Sequence, residues 1–375
     1  MVDLALKMLL HDKLRFAITV SGVAFSVALV LIQVGIFVGV LDNAKVTIEH
    51  TDADLWITSR ATPNIDFAHA FSESHVQRVR AVPGVERADN LIVAFMNVSL
   101  PNGAEEGILV YALSDCKRWG LPWNVESGNL EDLRRGPNMF LDESAVRRFG
   151  DFDLGDYREV FGRRLKVIGR TKDAKSFTTT PIAFMDYELA QSLSPGLLGG
   201  NTTYVLVKVA PGANVEAVRA DIRARLPHND VYTTAEWAER SRLYWLENTG
   251  LGISMFMTVF LGCLVGLVVV AQTLYASTME HLQEFGTVKA IGGSNSDIYK
   301  ILVRQASVAA FVGFTFGFLP SLIARPIMEK FGLRLIMTAE FTVTVFIGTI
   351  VMCLLAAVFS FRKVASIDPS LVFRG

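Results

Sequence analysis

The feature that most constrains this chain is a stretch without charged residues between Glu247 and Glu280. It is longer than the roughly twenty apolar residues that an α-helix needs to cross a bilayer. Three further apolar runs meet the same criterion, and the first is too long for a secretion signal. The sequence therefore predicts four transmembrane helices, over residues 16–41, 250–279, 305–325 and 341–361.

Composition supports a membrane protein. Hydrophobic residues make up 51% of the chain and charged residues 19%, which is rarely seen in a soluble enzyme of this length. The net charge of −1 gives no indication of nucleic-acid binding, so no nucleic-acid partner is expected. No ionisable residue lies inside the core of any predicted span, which leaves a proton relay or ion path without a candidate.

Flanking charges predict the orientation. Lys13 and Arg15 precede the first span and Asp42 follows it, which favours a cytoplasmic N-terminus. Four spans then place the tail, residues 362–375, on the cytoplasmic side as well. Basic residues between spans three and four, such as Arg334, count against this orientation.

Residues 1–15 are predicted to form an interfacial amphipathic helix. Asp3, Lys7, His11 and Arg15 recur every four residues on one face, and leucines occupy the other. An ordinary cytoplasmic extension of the first span would show the same pattern, and that alternative stays open.

Residues 42–249 are polar and long enough for one core or two small ones. The predicted fold is a large α+β extracytoplasmic domain between helices 1 and 2. Residues 42–113 and 201–249 together suit one split subdomain, and residues 114–200 are interpreted as an inserted subdomain.

Local signals within this domain predict individual elements. Asn102-Gly103 indicates a hairpin, and Ser72 and Asp186 are each predicted to cap a helix. Tyr244 and Trp245, just before the second span, suit an aromatic belt at the membrane surface. The predicted strands cover residues 53–59, 91–100, 107–113, 139–141, 164–168, 204–209 and 231–233.

Residues 280–304 form a polar segment that is too regular for a random loop. The helical pattern continues past Met279 and stops at Gly292-Gly293. Ser294 and Asp297 match a capping box, which predicts a second helix that continues into span three. A plain helical hairpin loop would also explain this pattern.

The segment Glu-Phe-Gly-Thr-Val-Lys-Ala-Ile-Gly-Gly-Ser at residues 284–294 resembles the cytoplasmic signature of FtsX/MacB-type ABC transporter permeases. The ending Ala-Ser-Ile-Asp-Pro-Ser-Leu-Val-Phe-Arg at residues 365–374 resembles the tail motif of that family. Residues 275–306, together with Asp-Ala-Asp-Leu-Trp at residues 52–56, are most similar to the DevC-type exporter permeases. Gln283 departs from the pattern, because many relatives carry a basic residue there.

The resemblance implies a permease that pairs with a second permease chain and with two copies of a separate ATPase. ATP and magnesium would bind that partner, and the sequence here contains no GxxxxGK[ST] phosphate loop. The outer domain would be a porter-like subdomain with an insertion. The implied ATPase-coupling surface consists of Glu284, Gly286, Lys289, Ala290, Ile291 and Gly292, with Pro369 and Arg374 in the tail motif.

Several functions are compatible with this resemblance. The first is a permease of an export system in a bacterial inner membrane, working with a periplasmic adaptor and an outer-membrane channel. The alternatives are a regulator of cell-wall hydrolases and a lipoprotein-extracting permease. No HExxH, CxxC or GxSxG pattern occurs, so no catalytic, metal-binding or cofactor-binding residue is expected on this chain. Besides the protein partners, membrane lipid is expected to contact the chain.

Overall fold

The computed structural model describes residues 11–178, 180–281, 283–285, 287, 294–331 and 333–365, the last five for the backbone only. Four of its helices are long and apolar enough to cross a membrane: α1 (Lys13–His50), α8 (Leu251–Glu280), α9 (Asn295–Lys330) and α10 (Ala339–Ala365). The six other described α-helices are α2 (His75–Arg80), α3 (Val146–Phe149), α4 (Tyr187–Leu193), α5 (Pro195–Leu198), α6 (Val215–Arg225) and α7 (Thr234–Glu247).

Twelve strands lie between α1 and α8 in the described part of the chain. They are β1 (Leu55–Ser59), β2 (Phe71–Ser72), β3 (Val85–Ser99), β4 (Glu105–Leu113), β5 (Val125–Ser127), β6 (Asn138–Asp142), β7 (Tyr157–Val160), β8 (Arg163–Thr171), β9 (Ile182–Met185), β10 (Asn201–Thr202), β11 (Tyr204–Val209) and β12 (Asn229–Thr233). A large α/β domain thus separates the first two apolar helices, which confirms the fold class predicted from the sequence.

The chain divides into two compact units. The membrane unit comprises Met1–Gly39 and Gly252–Gly375, and the outer domain comprises Val40–Leu251. Helix α1 contributes residues to both units and is continuous across residue 39.

Ten strands of the outer domain form one sheet in the order β12-β1-β11-β3-β4-β9-β6-β8-β5, with β7 paired to β3 and β8. Most pairs are antiparallel, whereas β4 pairs with β9 and β6 pairs with β8 in parallel. Strands β5 to β9 come from the segment interpreted as an insertion, yet they extend the same sheet as the flanking strands. The division into two subdomains stays a prediction.

Side chains alternate between the two faces of the sheet along each strand, and both faces are buried. Leu91 and Val93 on β3 face one core, which also contains Ile48 of α1 and Trp237 of α7. Ile92 faces the opposite core, which is packed by α4. A third cluster joins β1 and β11 to α2 and α6. The two faces are therefore covered by different helices.

Several local predictions are confirmed and one is wrong. Gly103 has φ +82° in the turn between β3 and β4, and the Asp186 side chain accepts the backbone N–H of Glu188 at the start of α4. The predicted cap at Ser72 is wrong, because Ser72 ends β2 and α2 begins after Ser74. Because β2 pairs with β10, Ser72 belongs to a strand, and the helix begins only at His75.

The prediction of a membrane-surface role for Trp245 is also wrong. Only 6% of Trp245 is exposed, and its ring stacks on Phe177 with 3.9 Å between ring centroids. Phe67 packs against the same indole at 5.6 Å. A long-range contact from the loop after β8 therefore buries a residue whose place near a span suggested exposure.

Glycines let the helices of the membrane unit approach α1 closely. A Cβ atom at Gly262 of α8 would lie 3.0 Å from Leu29, and one at Gly317 of α9 would lie 2.6 Å from the carbonyl oxygen of Ala24. The Ser26 hydroxyl donates to the carbonyl oxygen of Gly262 at 2.9 Å. Small residues permit such contacts in membranes, and here they serve packing within one chain.

The residues after α9 also pack on α1. The backbone N–H of Ile336 donates to the carbonyl oxygen of Gly35 at 3.0 Å. The predicted helix from Ser294 into the third span is confirmed, since α9 is uninterrupted from Asn295 to Lys330. The predicted interfacial helix at residues 1–15 lies mostly outside the described residues.

We expect replacement of Gly317 by Leu to destabilise the membrane unit by about 1–3 kcal/mol, because its side chain would overlap Ala24 and Val27. The full chain in detergent is heated, and the monodisperse peak in size-exclusion chromatography is followed. The measurement is the temperature at which half of that peak is lost. Gly348 is the matched control, since a Cβ there meets no atom within 4 Å. A Gly317→Leu protein as stable as Gly348→Leu would contradict this packing.

Asp66 lies between β1 and β2 with 3% of its surface exposed. Burial raises the pKa of its carboxyl from 3.8 to about 7, although the backbone N–H of Phe177 opposes this rise. Its Oδ2 atom has no hydrogen-bond partner among the described residues. The protonated form is therefore favoured in the folded domain.

Asp66→Asn is expected to stabilise the protein increasingly as pH rises. The folded-state pKa of Asp66 lies above the unfolded value of 3.8, so its contribution to stability is fully present below pH 3.8 and is lost as pH rises to about 7. Asn cannot ionise, so the variant does not lose the free energy of unfolding, on the order of a few kcal/mol, that ionisation of the buried carboxyl costs. The test is to measure the melting temperatures of the wild type and of Asp66→Asn across this pH range. Asp221→Asn, at an exposed position, is the control. A difference independent of pH would refute it.

Candidate functional site

The structure describes the base of the segment that the sequence singled out, residues 280–304. Of the predicted contact residues it describes Glu284. Gly286, Lys289, Ala290, Ile291 and Gly292 lie outside the described residues, as do Pro369 and Arg374 of the tail motif. The described residues on both sides of the gap show how the segment is held.

Helical hydrogen bonds continue past the end of α8. The backbone N–H of His281 donates to the carbonyl oxygen of Ser277 at 3.1 Å, and that of Phe285 donates to His281 at 3.0 Å. These bonds join residues four apart, as in an α-helix. Residues 283–285 are helical, as the sequence predicts beyond Met279, whereas His281 forms a turn and residue 282 lies outside the described part of the chain.

A capping box starts the helix on the other side of the gap. The carboxylate of Asp297 accepts the backbone N–H of Ser294 at 3.1 Å and its hydroxyl at 2.7 Å. Lys300 lies 3.2 Å from the other carboxylate oxygen of Asp297. This confirms the start of α9 predicted from the sequence and fixes where the chain re-enters a helix.

Phe285 holds the two sides together. Phe285 is 3% exposed and packs with Ile298 and Ile301 near the start of α9. The cluster is separate from the core between the membrane helices. The helical segments before and after the gap are therefore packed against each other.

Glu284 combines an internal contact with exposure. Its Oε1 atom lies 2.9 Å from Nδ1 of His281, whose side chain is 10% exposed, while 56% of the Glu284 side chain remains exposed. The carboxylate is thus fixed in place on the surface of the segment.

Arg15 connects this region to the start of α1. Its guanidinium forms an ion pair with Glu280, the last residue of α8, and a second one at 3.2 Å with Asp12. The hydroxyl of Thr19 donates to that of Thr273 at 2.9 Å between the same two helices. The start of α1 and the last two turns of α8 are therefore joined by an ion pair and a hydrogen bond.

Arg15 and Phe285 were not among the predicted site residues. Phe285 carried a signal, because it is the one Phe, Tyr or Trp residue between Glu280 and Ser294. The pairing of Arg15 with Glu280 had no signal in the sequence, because the two residues are far apart along the chain.

Two family models match the chain. Residues 16–225 match the MacB-like periplasmic core domain, and residues 256–369 match the FtsX-like permease C-terminal domain. The first match alone covers more than half of the chain. The chain belongs to the FtsX/MacB-type family of ABC transporter permeases.

Relatives with the same description match over nearly the whole length. Two proteins of Mycobacterium tuberculosis, each described as an uncharacterized ABC transporter permease, are 26% identical over 369 residues and 24% identical over 379 residues. The alignments cover 97% and 100% of this chain, and 96% and 100% of the relatives. The periplasmic region of MacB from Actinobacillus actinomycetemcomitans is 14% identical with a TM-score of 0.40, over 50% of this chain and 92% of that structure.

This ABC transporter permease is a multi-pass membrane protein by its four apolar helices and its family. Permeases of this kind are transporter components rather than enzymes, and the family implies an ATPase partner. The segment after α8 is the part of the permease in which sequence motif and anchored geometry coincide.

Phe285→Ala is expected to loosen this segment without unfolding the membrane helices. The change removes the ring that packs on Ile298 and Ile301, at a cost of about 3 kcal/mol to local packing. Hydrogen exchange of the full chain in detergent should show faster exchange at residues 281–301, with residues 85–113 unaffected. Gln283→Ala, an exposed neighbour, is the matched control, and equal exchange in both variants would show that Phe285 is no anchor.

Proposed function

We propose that the chain is the permease subunit of an ABC exporter and passes ATP-driven motion from a separate ATPase to the outer domain. The observation that carries the proposal is the anchored helical segment after α8. Phe285 fixes it to α9, while the Glu284 carboxylate next to Phe285 stays 56% exposed. A contact surface that must transmit force needs this combination of rigidity and access.

The proposed coupling surface consists of Glu284 with five residues outside the described part of the chain, Gly286, Lys289, Ala290, Ile291 and Gly292. The ATPase is another chain, because this sequence has no phosphate-binding loop. ATP and magnesium would bind there and not on the permease.

The contacts at the base suggest the route of the motion. Displacement of the segment that follows α8 would pull on Glu280, the last residue of that helix. The ion pair of Glu280 with Arg15 would pass the displacement to α1. Helix α1 continues without interruption to His50, where it belongs to the outer domain. A continuous helix transmits an axial displacement along its length without a flexible joint.

The same proposal covers assembly and orientation. Two permease chains would pair with two ATPase subunits, with both termini and the coupling segment in the cytoplasm. The substrate would be moved outside the bilayer by the outer domain. The absence of charged residues from the cores of the spans supports this, because a polar path through the membrane has no candidate residues.

The first experiment is purification of the full chain from its native membrane with mass spectrometry of the bound proteins. A P-loop ATPase in near-equal amount is expected, and an adaptor beside it would indicate export through an outer-membrane channel. A cell-wall hydrolase beside the ATPase would favour the regulatory alternative, and a bound lipoprotein the extraction alternative. Recovery without any ATPase would overturn the proposal.

Gly292→Trp is expected to lower the amount of co-purified ATPase at least tenfold, because a bulky side chain would interrupt the proposed contact surface. Gly286→Trp should act in the same way. Both proteins should reach the membrane at normal levels. Gly196→Trp in the outer domain is the control, since a Cβ there meets no atom within 4 Å. Normal ATPase recovery with both coupling variants would rule out this surface.

A further inference from the structure

Helix α1 ends firmly embedded in the outer domain. Ile48, in its last turn, is fully buried in the core that contains Trp56, Trp119 and Trp237. The backbone N–H of Asp52, just after the helix, donates to the carbonyl oxygen of Trp119 at 3.0 Å. The end of α1 is therefore held by side-chain packing and by backbone bonds.

Asp52 joins two strands of the sheet. Its carboxylate lies 2.6 Å from Nη2 of Arg87 on β3 and 2.6 Å from Nζ of Lys208 on β11. Lys208, and next Arg87, lower the pKa of Asp52, and Asp52 in turn raises the pKa of Lys208. Arg87 also stacks on Trp119, with 4.8 Å from its guanidinium carbon to the ring centroid.

Asp54 adds bonds to the same strand. Its backbone N–H donates to the carbonyl oxygen of Val207 at 2.9 Å, and its carboxylate accepts the backbone N–H of Val209 at 2.8 Å. Lys208 lies 3.3 Å from that carboxylate. Residues 52–54 are thus attached to β11 through both main chain and side chains.

Helix α7, which leads to α8, begins at this same place. The backbone N–H of Thr234 donates to the carbonyl oxygen of Asp54 at 3.1 Å, and its hydroxyl donates to that of Ala53. The chain enters the outer domain through α1 and leaves it through α7. Both helices therefore meet the sheet at residues 52–54.

Stability alone does not account for these charges. Asp52 is 52% exposed and Asp54 33%, and ion pairs at such sites add little to folding free energy. The core around Ile48 and the tryptophans already holds the domain together. What the network adds is a fixed geometry between the end of α1, the start of α7, β3 and β11.

We infer that Asp52 and Asp54, with Arg87 and Lys208, are positioning residues that transfer motion of α1 and α7 to the sheet. This inference rests on the proposed function, because it assumes that ATP-driven motion reaches α1. The four residues are called the α1–β1 junction below. Its loss should leave ATPase binding and hydrolysis intact while the outer domain stops responding to nucleotide.

The test uses the full permease purified with its ATPase. Spin labels are placed at Ala220→Cys on α6 and Met279→Cys at the end of α8, with the exposed native Cys263 replaced by Ser. Pulsed electron paramagnetic resonance spectroscopy measures the distance between the two labels, first without nucleotide and then with ATP and vanadate. Asp52→Ala/Asp54→Ala should retain the ATPase and its basal hydrolysis but show less than half of the wild-type distance change.

Asp132→Ala is the matched control, because it breaks an ion pair with Arg135 in the same domain, away from the junction. A full distance change in the double variant would overturn the inference while the proposed function stands. A wild-type complex without an ATPase, or without any nucleotide-dependent distance change, would instead overturn the proposed function.

Lys208→Met keeps the test valid should the double variant fail to fold. It removes one charge and keeps the aliphatic stem, so it should reduce the distance change with little effect on melting temperature. Lys208→Arg retains the positive charge and should restore the change. Equal distance changes in Lys208→Met and Lys208→Arg would show that the charge has no role in transfer.

Discussion

Close packing of α8 and α9 on α1 is the contact on which the membrane unit depends. Glycines such as Gly262 and Gly317 bring these helices so near that a Cβ there would lie 3.0 Å or less from atoms of α1. Lipid supplies no hydrophobic force between helices, so close packing of this kind, with hydrogen bonds such as that from Ser26 to Gly262, holds them together. Helix α1 is thereby the common partner of two neighbours, and this central place suits a helix that also extends into the outer domain.

The two ends of α1 are held by charged residues and its middle by small apolar ones. Arg15 pairs with Glu280 at one end, and Asp52, just past the other end, pairs with Arg87 and Lys208. Charges are costly inside a bilayer but effective at fixing geometry outside it. The distribution along α1 therefore separates the part that packs in the membrane from the parts that make defined contacts at either end.

Local chemistry explains which predictions succeeded. The hairpin at Asn102-Gly103, the cap at Asp186 and the capping box at Ser294 depend on neighbouring residues, and each is confirmed. Long-range contacts explain the failures. Trp245 is buried by Phe177, which is remote in sequence, and Ser72 is held in a strand by its pairing with Asn201.

The same distinction applies to the candidate site. Motif residues near Glu284 could be read from the sequence, because a resemblance needs only consecutive letters. The partners of Arg15 and of Asp52 could not be predicted, since they come from distant segments that only the fold brings together. The order of the strands in the sheet was equally out of reach, because β4 pairs with β9 across the whole intervening region.

The position of β1 has a consequence for how the protein is made. Both neighbours of β1 in the sheet, β11 and β12, belong to the end of the outer domain. During synthesis β1 leaves the ribosome early, and its first partner strand, β11, is complete only once residue 209 has been made. Such distant pairings fold slowly and leave strands open to wrong partners. The sheet therefore stays incomplete until nearly the whole outer domain has been synthesised, and β12 is the last strand to join it.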